Sequence, residues 1–124
     1  MSDTKKVLVV EDDPHIAKVF MIKLKQEGVE VDFAGDGEVG LQKILDNKPD
    51  LVLLDLMMPK KDGFWVLGEI GKNPQLSTIP ILVLSNLGQD QDRERALKLG
   101  AKEYIVKSDI PIKDVIERVK KYLI

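Results

Sequence analysis

Three apolar runs in this chain each end in a group that can do chemistry. Val7-Leu8-Val9-Val10 runs into Glu11-Asp12-Asp13, Leu51-Val52-Leu53-Leu54 into Asp55, and Tyr104-Ile105-Val106 into Lys107. A short apolar run bounded by charge reads as a strand buried on both faces, and such strands belong to parallel sheets. In an open parallel sheet all strands point their C-terminal ends at one edge, where ligands bind. The acids and the lysine are therefore expected to converge, although they are far apart in sequence. Carboxylates gathered without partners resist ionisation together. A hard oxygen-seeking cation such as Mg2+, with an ammonium nearby, relieves that repulsion. The pattern points to a metal-dependent phosphoryl site.

At 124 residues the chain favours one domain with a single core, and 44% apolar with 32% charged residues is an ordinary globular balance. A net charge of -2 supplies no basic footprint, so direct nucleic-acid binding is not expected. Cysteine is absent, which excludes disulfides and thiolate metal sites. The apolar run from Val7 to Val10 is too short for a signal-peptide core or a membrane span. A soluble cytoplasmic protein with no membrane partner is the expectation.

Lys6 to Val10 is the first predicted strand. Asp13-Pro14 reads as a helix start, with Ile16, Val19, Phe20 and Leu24 on one face and Gly28 as the stop. Val29 to Phe33 is the second strand. Asp36-Gly37 opens a helix in which Leu41, Ile44 and Leu45 share a face, and Pro49 ends it. Asp50 to Leu54 is the third strand, followed by a loop through Met58, Pro59, Asp62 and Gly63. A helix from about Phe64 to Lys72 is weakened by Gly68 and Gly71. Ile79 to Leu84 is the fourth strand, with Pro80 near its start, where a missing donor is tolerable. A mostly polar helix covers roughly Gln91 to Leu99 and stops at Gly100. Glu103 to Val106 is the fifth strand, and Ile112, Val115, Ile116, Val119 and Leu123 line the last helix. Strands alternating with helices imply right-handed crossovers and helices on both faces.

The ordered motifs resemble the receiver domain of two-component response regulators from end to end. They are Glu11-Asp12, Asp55 with Met58-Pro59 and Asp62-Gly63, Ser85-Asn86, Gly100-Ala101, Tyr104 and Lys107. Each is weak alone; in this order on a βα pattern they are specific. The resemblance implies a doubly wound (βα)5 α/β fold with a five-stranded parallel sheet in the flavodoxin-like order 2-1-3-4-5. It implies a receiver domain over residues 1–124, of single-domain type with no effector domain. Asp55 would be the phosphoacceptor. Asp12 directly, Glu11 directly or through water, Asp55 and the Met57 backbone carbonyl would hold Mg2+ (or Mn2+). Lys107 and Ser85 would contact the phosphoryl group, and the Tyr104 ring would move inward when Ser85 is drawn to it. The chain would act as a phosphorelay switch rather than an enzyme on other substrates. A sensor histidine kinase or histidine phosphotransfer protein would be the donor, and output would pass to an unknown downstream protein over the surface near Lys98, Lys102 and Tyr104.

Two features depart from the family pattern. Ser108 follows Lys107 where proline is usual, and a cis bond before serine costs ~3 kcal/mol, so a trans Lys107–Ser108 bond is expected. Met57 and Leu87, beside the expected phosphoryl position, are apolar, which implies slow self-dephosphorylation because neither can hold an attacking water.

Plainer readings exist for several residues. Asp13 reads as a helix cap rather than a third metal ligand, because Pro14 follows it. His15, the lone histidine, reads as an exposed bystander rather than a phosphohistidine carrier. Trp65 is either a packing residue or a partner contact. The run from Asp90 to Arg95 reads as a solvated helix face. Two rival functions share parts of the pattern. A flavodoxin-type module would need a Gly/Ser/Thr-rich first loop to cradle phosphate, whereas this loop is Glu11-Asp12-Asp13-Pro14. A haloacid-dehalogenase-like phosphatase would usually need an acid two residues after the nucleophile, where this chain has Met57, and a substrate cap for which it has no room.

Overall fold

Alternation along the strands decides the architecture. The computed structural model describes residues 4–86 and 89–123, so Leu87, expected beside the phosphoryl position, lies outside the described residues. Five strands are described: β1 (Lys6–Val10), β2 (Glu30–Ala34), β3 (Leu51–Leu54), β4 (Ile81–Ser85) and β5 (Glu103–Val106). They alternate with α1 (Pro14–Gln26), α2 (Gly37–Asn47), α3 (Gly63–Gly71), α4 (Asp90–Lys98) and α5 (Ile112–Tyr122). Successive strand side chains point to opposite faces. Val7, Val9, Leu51, Leu53, Leu82 and Leu84 meet Phe20 and Leu24 of α1 and Val115 and Val119 of α5. Leu8, Val10, Val52, Leu54 and Val83 meet Ile44 of α2, Leu67 and Ile70 of α3 and Ala96 of α4. The central strands are thus buried on both sides, as the unbroken apolar runs require.

The sheet order is β2-β1-β3-β4-β5 and each pairing is parallel, which is the flavodoxin-like order that the resemblance implies. Val10 stands opposite both Ala34 and Leu54, so β1, β2 and β3 end level. The next backbone bonds carry that register into the loops: Asp55 N donates to Val10 O at 3.0 Å, and Lys107 N donates to Ser85 O at 2.8 Å. Convergence of the charged residues follows from this register.

Aspartate caps three of the helices. Asp13 Oδ1 accepts from His15 N, Asp36 Oδ1 from Val39 N and Asp62 Oδ1 from Trp65 N, each at 2.9 Å. The expected stops Gly28 and Gly100 have φ of 81° and 110°, the left-handed region that glycine enters without penalty. β4 begins two residues later than the apolar pattern predicts, after Pro80, which lacks the N–H of a ladder partner. α3 forms despite its glycines because Phe64, Val66, Leu67 and Ile70 are all buried, and packing outweighs propensity. Edge strand β2 is closed at Phe33 by side chains: Lys43 Nζ donates to Phe33 O at 2.6 Å, and Phe33 N donates to Asp32 Oδ1 at 2.7 Å. No helix among the described residues is long and apolar enough to cross a membrane.

The helical faces are narrower than their spacing suggests. Leu24 is fully buried, whereas Val19, expected on the same face, is 37% exposed. Leu45 of α2 and Ile112 of α5 are likewise exposed. Leu24→Ala should therefore cost about 2–5 kcal/mol in urea unfolding, the range for emptying a packed leucine site. Val19→Ala should stay within about 0.5 kcal/mol of the parent.

Candidate functional site

The levelled ends of β1 and β3 bring Glu11, Asp12 and Asp55 together. One carboxylate oxygen from each lies within 4.8 Å of the others. Oxygens on a single Mg2+ are about 4.2 Å apart when opposite and about 3.0 Å when adjacent, so the three acids have to draw together by up to about 2 Å to share one ion. Glu11 is 3% exposed and Asp55 5%, while Asp12 is open to solvent, the side from which a hydrated cation would arrive. The donors are all hard oxygens, which fits Mg2+ or Mn2+.

Lys107 reaches this cluster from β5. Its Nζ is 2.6 Å from Glu11 Oε1 and 3.5 Å from Asp55 Oδ2. The other Glu11 oxygen accepts from Asp13 N at 3.1 Å, and Asp55 Oδ1 accepts from Met57 N at 3.3 Å. Burial pushes the Glu11 carboxyl up to about 7; the Lys107 hydrogen bond works against that and the Asp55 charge adds to it. Burial also disfavours the Lys107 ammonium, but Glu11 and Asp55 outweigh it and hold its pKa above the usual lysine value. Three carboxylates against one ammonium leave the site short of positive charge, a deficit that a divalent cation would fill.

Glu11, Asp12, Asp55, Met57, Asn86 and Lys107 line one shallow pocket, together with Asp13 and Ile16. Ser85 and Tyr104 stand behind it. Ser85 is fully buried at the end of β4, and Tyr104 is 7% exposed. Burial raises the Tyr104 pKa, the charges of Asp92 and Asp55 add to that, and a hydrogen bond with Ser85 opposes it. A concavity beside β2 and α2 contains none of the site residues, and its Lys43 and Asp32 pair with each other at 3.0 Å.

The plainer readings also find their places. Asp13 caps α1 and does not join the acid cluster. His15 is exposed. Trp65 is half-buried against the core, with Lys61 Nζ 5.3 Å from its ring centroid. The Asp90–Arg95 run is a largely exposed face of α4, on which Ala96 is the buried residue. The Lys107–Ser108 bond is trans, as no cis peptide occurs among the described residues. Sequence reasoning missed two things. One is the Lys107–Glu11 pair, for which the signal is that glutamate is one methylene longer than aspartate. The other is the role of Gly63: a Cβ there would lie 2.4 Å from Asp55 O, so α3 can start against the backbone of the Asp55 turn only as glycine.

Residues 7–120 match the family described as response regulator receiver domain. The chain belongs to that family. This receiver domain is 36% identical over 118 residues to the DNA-binding dual master transcriptional regulator RpaA of Synechocystis sp., covering 95% of the chain and 48% of that relative. It thus spans about half the length of the curated relatives it matches. Its fold superimposes on the receiver domain of the Francisella response regulator 1452 with a TM-score of 0.89, 32% identity and 97% of each chain covered. The Mn2+-bound form of response regulator Rcp1 is similar at a TM-score of 0.80 and 32% identity, covering 94% of this chain and 90% of that one. Phosphorylation-dependent signalling is the family role, and this receiver domain is a signalling module.

The buried Glu11 has a consequence for stability without metal. The folded protein holds its proton up to about pH 7, whereas the unfolded chain releases it near the ordinary 4.5. The unfolded state then binds fewer protons, so stability falls as pH rises from about 4.5 through about 7. In EDTA, the loss of Tm between pH 5 and pH 8 should be smaller in Glu11→Gln than in the parent. Equal losses would show that Glu11 does not titrate in that window.

Proposed function

We propose that Asp55 is the phosphoacceptor of this receiver domain and that Asp12, Glu11 and the Met57 carbonyl join it in holding Mg2+ or Mn2+. The observation that carries the reading is the place of Asp55: it ends the central strand, nearly buried, 3.5 Å from the Lys107 ammonium and within 4.8 Å of two further acids. The metal-bound Rcp1 structure supports the cation assignment by similarity. The cation supplies charge neutralisation for the transferring phosphoryl group.

An Asp55 oxygen attacks phosphorus as the bond to the donor nitrogen of a phosphohistidine, or to the donor oxygen of acetyl phosphate, breaks. The product is an acyl phosphate on Asp55. Lys107 is already within reach of Asp55 and passes from Glu11 towards the new phosphoryl oxygens. Phosphoryl transfer depends on this positioning and charge placement more than on covalent help. The donor is a histidine kinase or phosphotransfer protein, and the product is a signalling state rather than a released molecule.

Output runs through Ser85. Its hydroxyl, hydrogen-bonded with Tyr104, turns to the phosphoryl oxygens and gives up that contact. The Tyr104 ring, nearly buried beside Ser85, moves further inward as that contact is lost, and the change reaches the surface near Lys98 and Lys102. The flavodoxin-type alternative is disfavoured by the first loop: Asp13 occupies the start of α1 with a carboxylate, where a ligand phosphate would have to bind.

Intact mass after treatment with acetyl phosphate and Mg2+ tests the reading. The parent should gain one phosphoryl group and Asp55→Asn none. Asp12→Ala should lose Mg2+ binding in calorimetric titration, whereas Asp13→Ala should keep it and lose about 1 kcal/mol of stability through the α1 cap. A mass gain that survives Asp55→Asn would reject the assignment. Equal loss of metal affinity in both alanine variants would reverse the roles of the two acids.

A further inference from the structure

The metal loop is built against a helix that contributes no ligand. Gly37, the first residue of α2, lies so close to the β3–α3 loop that a Cβ there would sit 2.1 Å from Lys61 O and 2.8 Å from Lys61 C. Both atoms belong to backbone, so no side-chain rotation can make room. Three residues on, a Cβ at Gly40 would be 2.9 Å from Val10 Cγ1. Val10 is the last residue of β1, directly before Glu11. Helix α2 is therefore seated on the end of β1 through Gly40 and touches the loop after Asp55 through Gly37. Asp36, which caps α2, also faces Lys60 Nζ at 3.8 Å, and Lys60 holds a left-handed φ of 64°.

We infer that Gly37 is a positioning residue for the cation site: α2 sets the spacing between the Glu11–Asp12 half of the site and the Met57 half. The inference rests on the metal reading given above. With α2 seated on Val10, a side chain at position 37 has to displace the Lys61 backbone, and the displacement passes along the loop to Met57. Reciprocity requires that a cation which fixes the loop also steadies the first turn of α2.

Gly37→Ala is compared with Gly68→Ala, a helical glycine at which a Cβ meets nothing within 4 Å. Gly37→Ala should weaken Mg2+ binding about tenfold, the lower end of what supports beyond the ligands contribute, and Gly68→Ala should leave it unchanged. In metal-free protein, hydrogen exchange of the Met57 and Gly63 amides, which donate to Asp55 Oδ1 and Leu56 O, should speed up in Gly37→Ala relative to the amides of α5. A merely structural loss of stability would speed all of these alike. If Gly37→Ala does not fold, the parent alone decides: Mg2+ should slow exchange at Val39 and Gly40 more than in α5. Unchanged affinity and loop exchange in a folded Gly37→Ala, or no α2 protection by Mg2+ in the parent, would overturn the inference. Failure of the parent to bind Mg2+ would instead reject the metal reading, while the metal-free exchange arm would still judge the role of Gly37.

Discussion

A lysine ammonium 2.6 Å from a nearly buried glutamate spans the top of this sheet from β5 to β1. Lys107 and Glu11 leave strands that do not pair: β1 lies inside the sheet and β5 at its edge, with β3 and β4 between them. Their meeting therefore reports on the whole sheet. It requires the parallel order, the level strand ends and a β5 loop long enough for Lys107 to reach back. A buried carboxylate without a partner would be strongly disfavoured, and one short of full compensation keeps an elevated pKa, as Glu11 does. The site is held in a state that favours arriving positive charge, and the scaffold that carries it is an apolar sheet packed on both faces.

Much of the architecture was readable because the central strands are buried on both sides. Their apolar runs stop where the chain leaves the sheet, so β1 and β5 have the expected bounds. β2 is less sharply marked, since an edge strand buries alternate residues only in part; it lies one residue later than its pattern suggests. α4 is the element that periodicity served least. A single buried residue anchors it, and its acids Asp90 and Asp92 at the start and Arg95 and Lys98 near the end suit the helix dipole instead.

At the site, residue types and order identified the groups but not their pairing. The spacing of acids along a chain says nothing of which oxygen a lysine will choose, because that depends on side-chain reach and burial. Glycine contacts were equally silent. Gly37 reads as a helix start and Gly63 as a loop residue, yet what they supply is absence of a side chain where backbone presses on backbone. Such constraints live in three dimensions and leave no periodic trace. Asp62 differs: its cap of α3 through Trp65 N is a local contact, and an acid two residues before the predicted helix start is its sequence signal.

The closed edge at β2 bears on how this protein behaves in company. A strand from another molecule that approached Phe33 would find its carbonyl already bound by Lys43 and its N–H by Asp32. Sheet growth between molecules needs those two groups free, and a lysine at the border adds charge that a second copy would have to bury. At Phe33 its own side chains hold the groups that strand addition along β2 would use, so this stretch of the border is a poor template for a second copy.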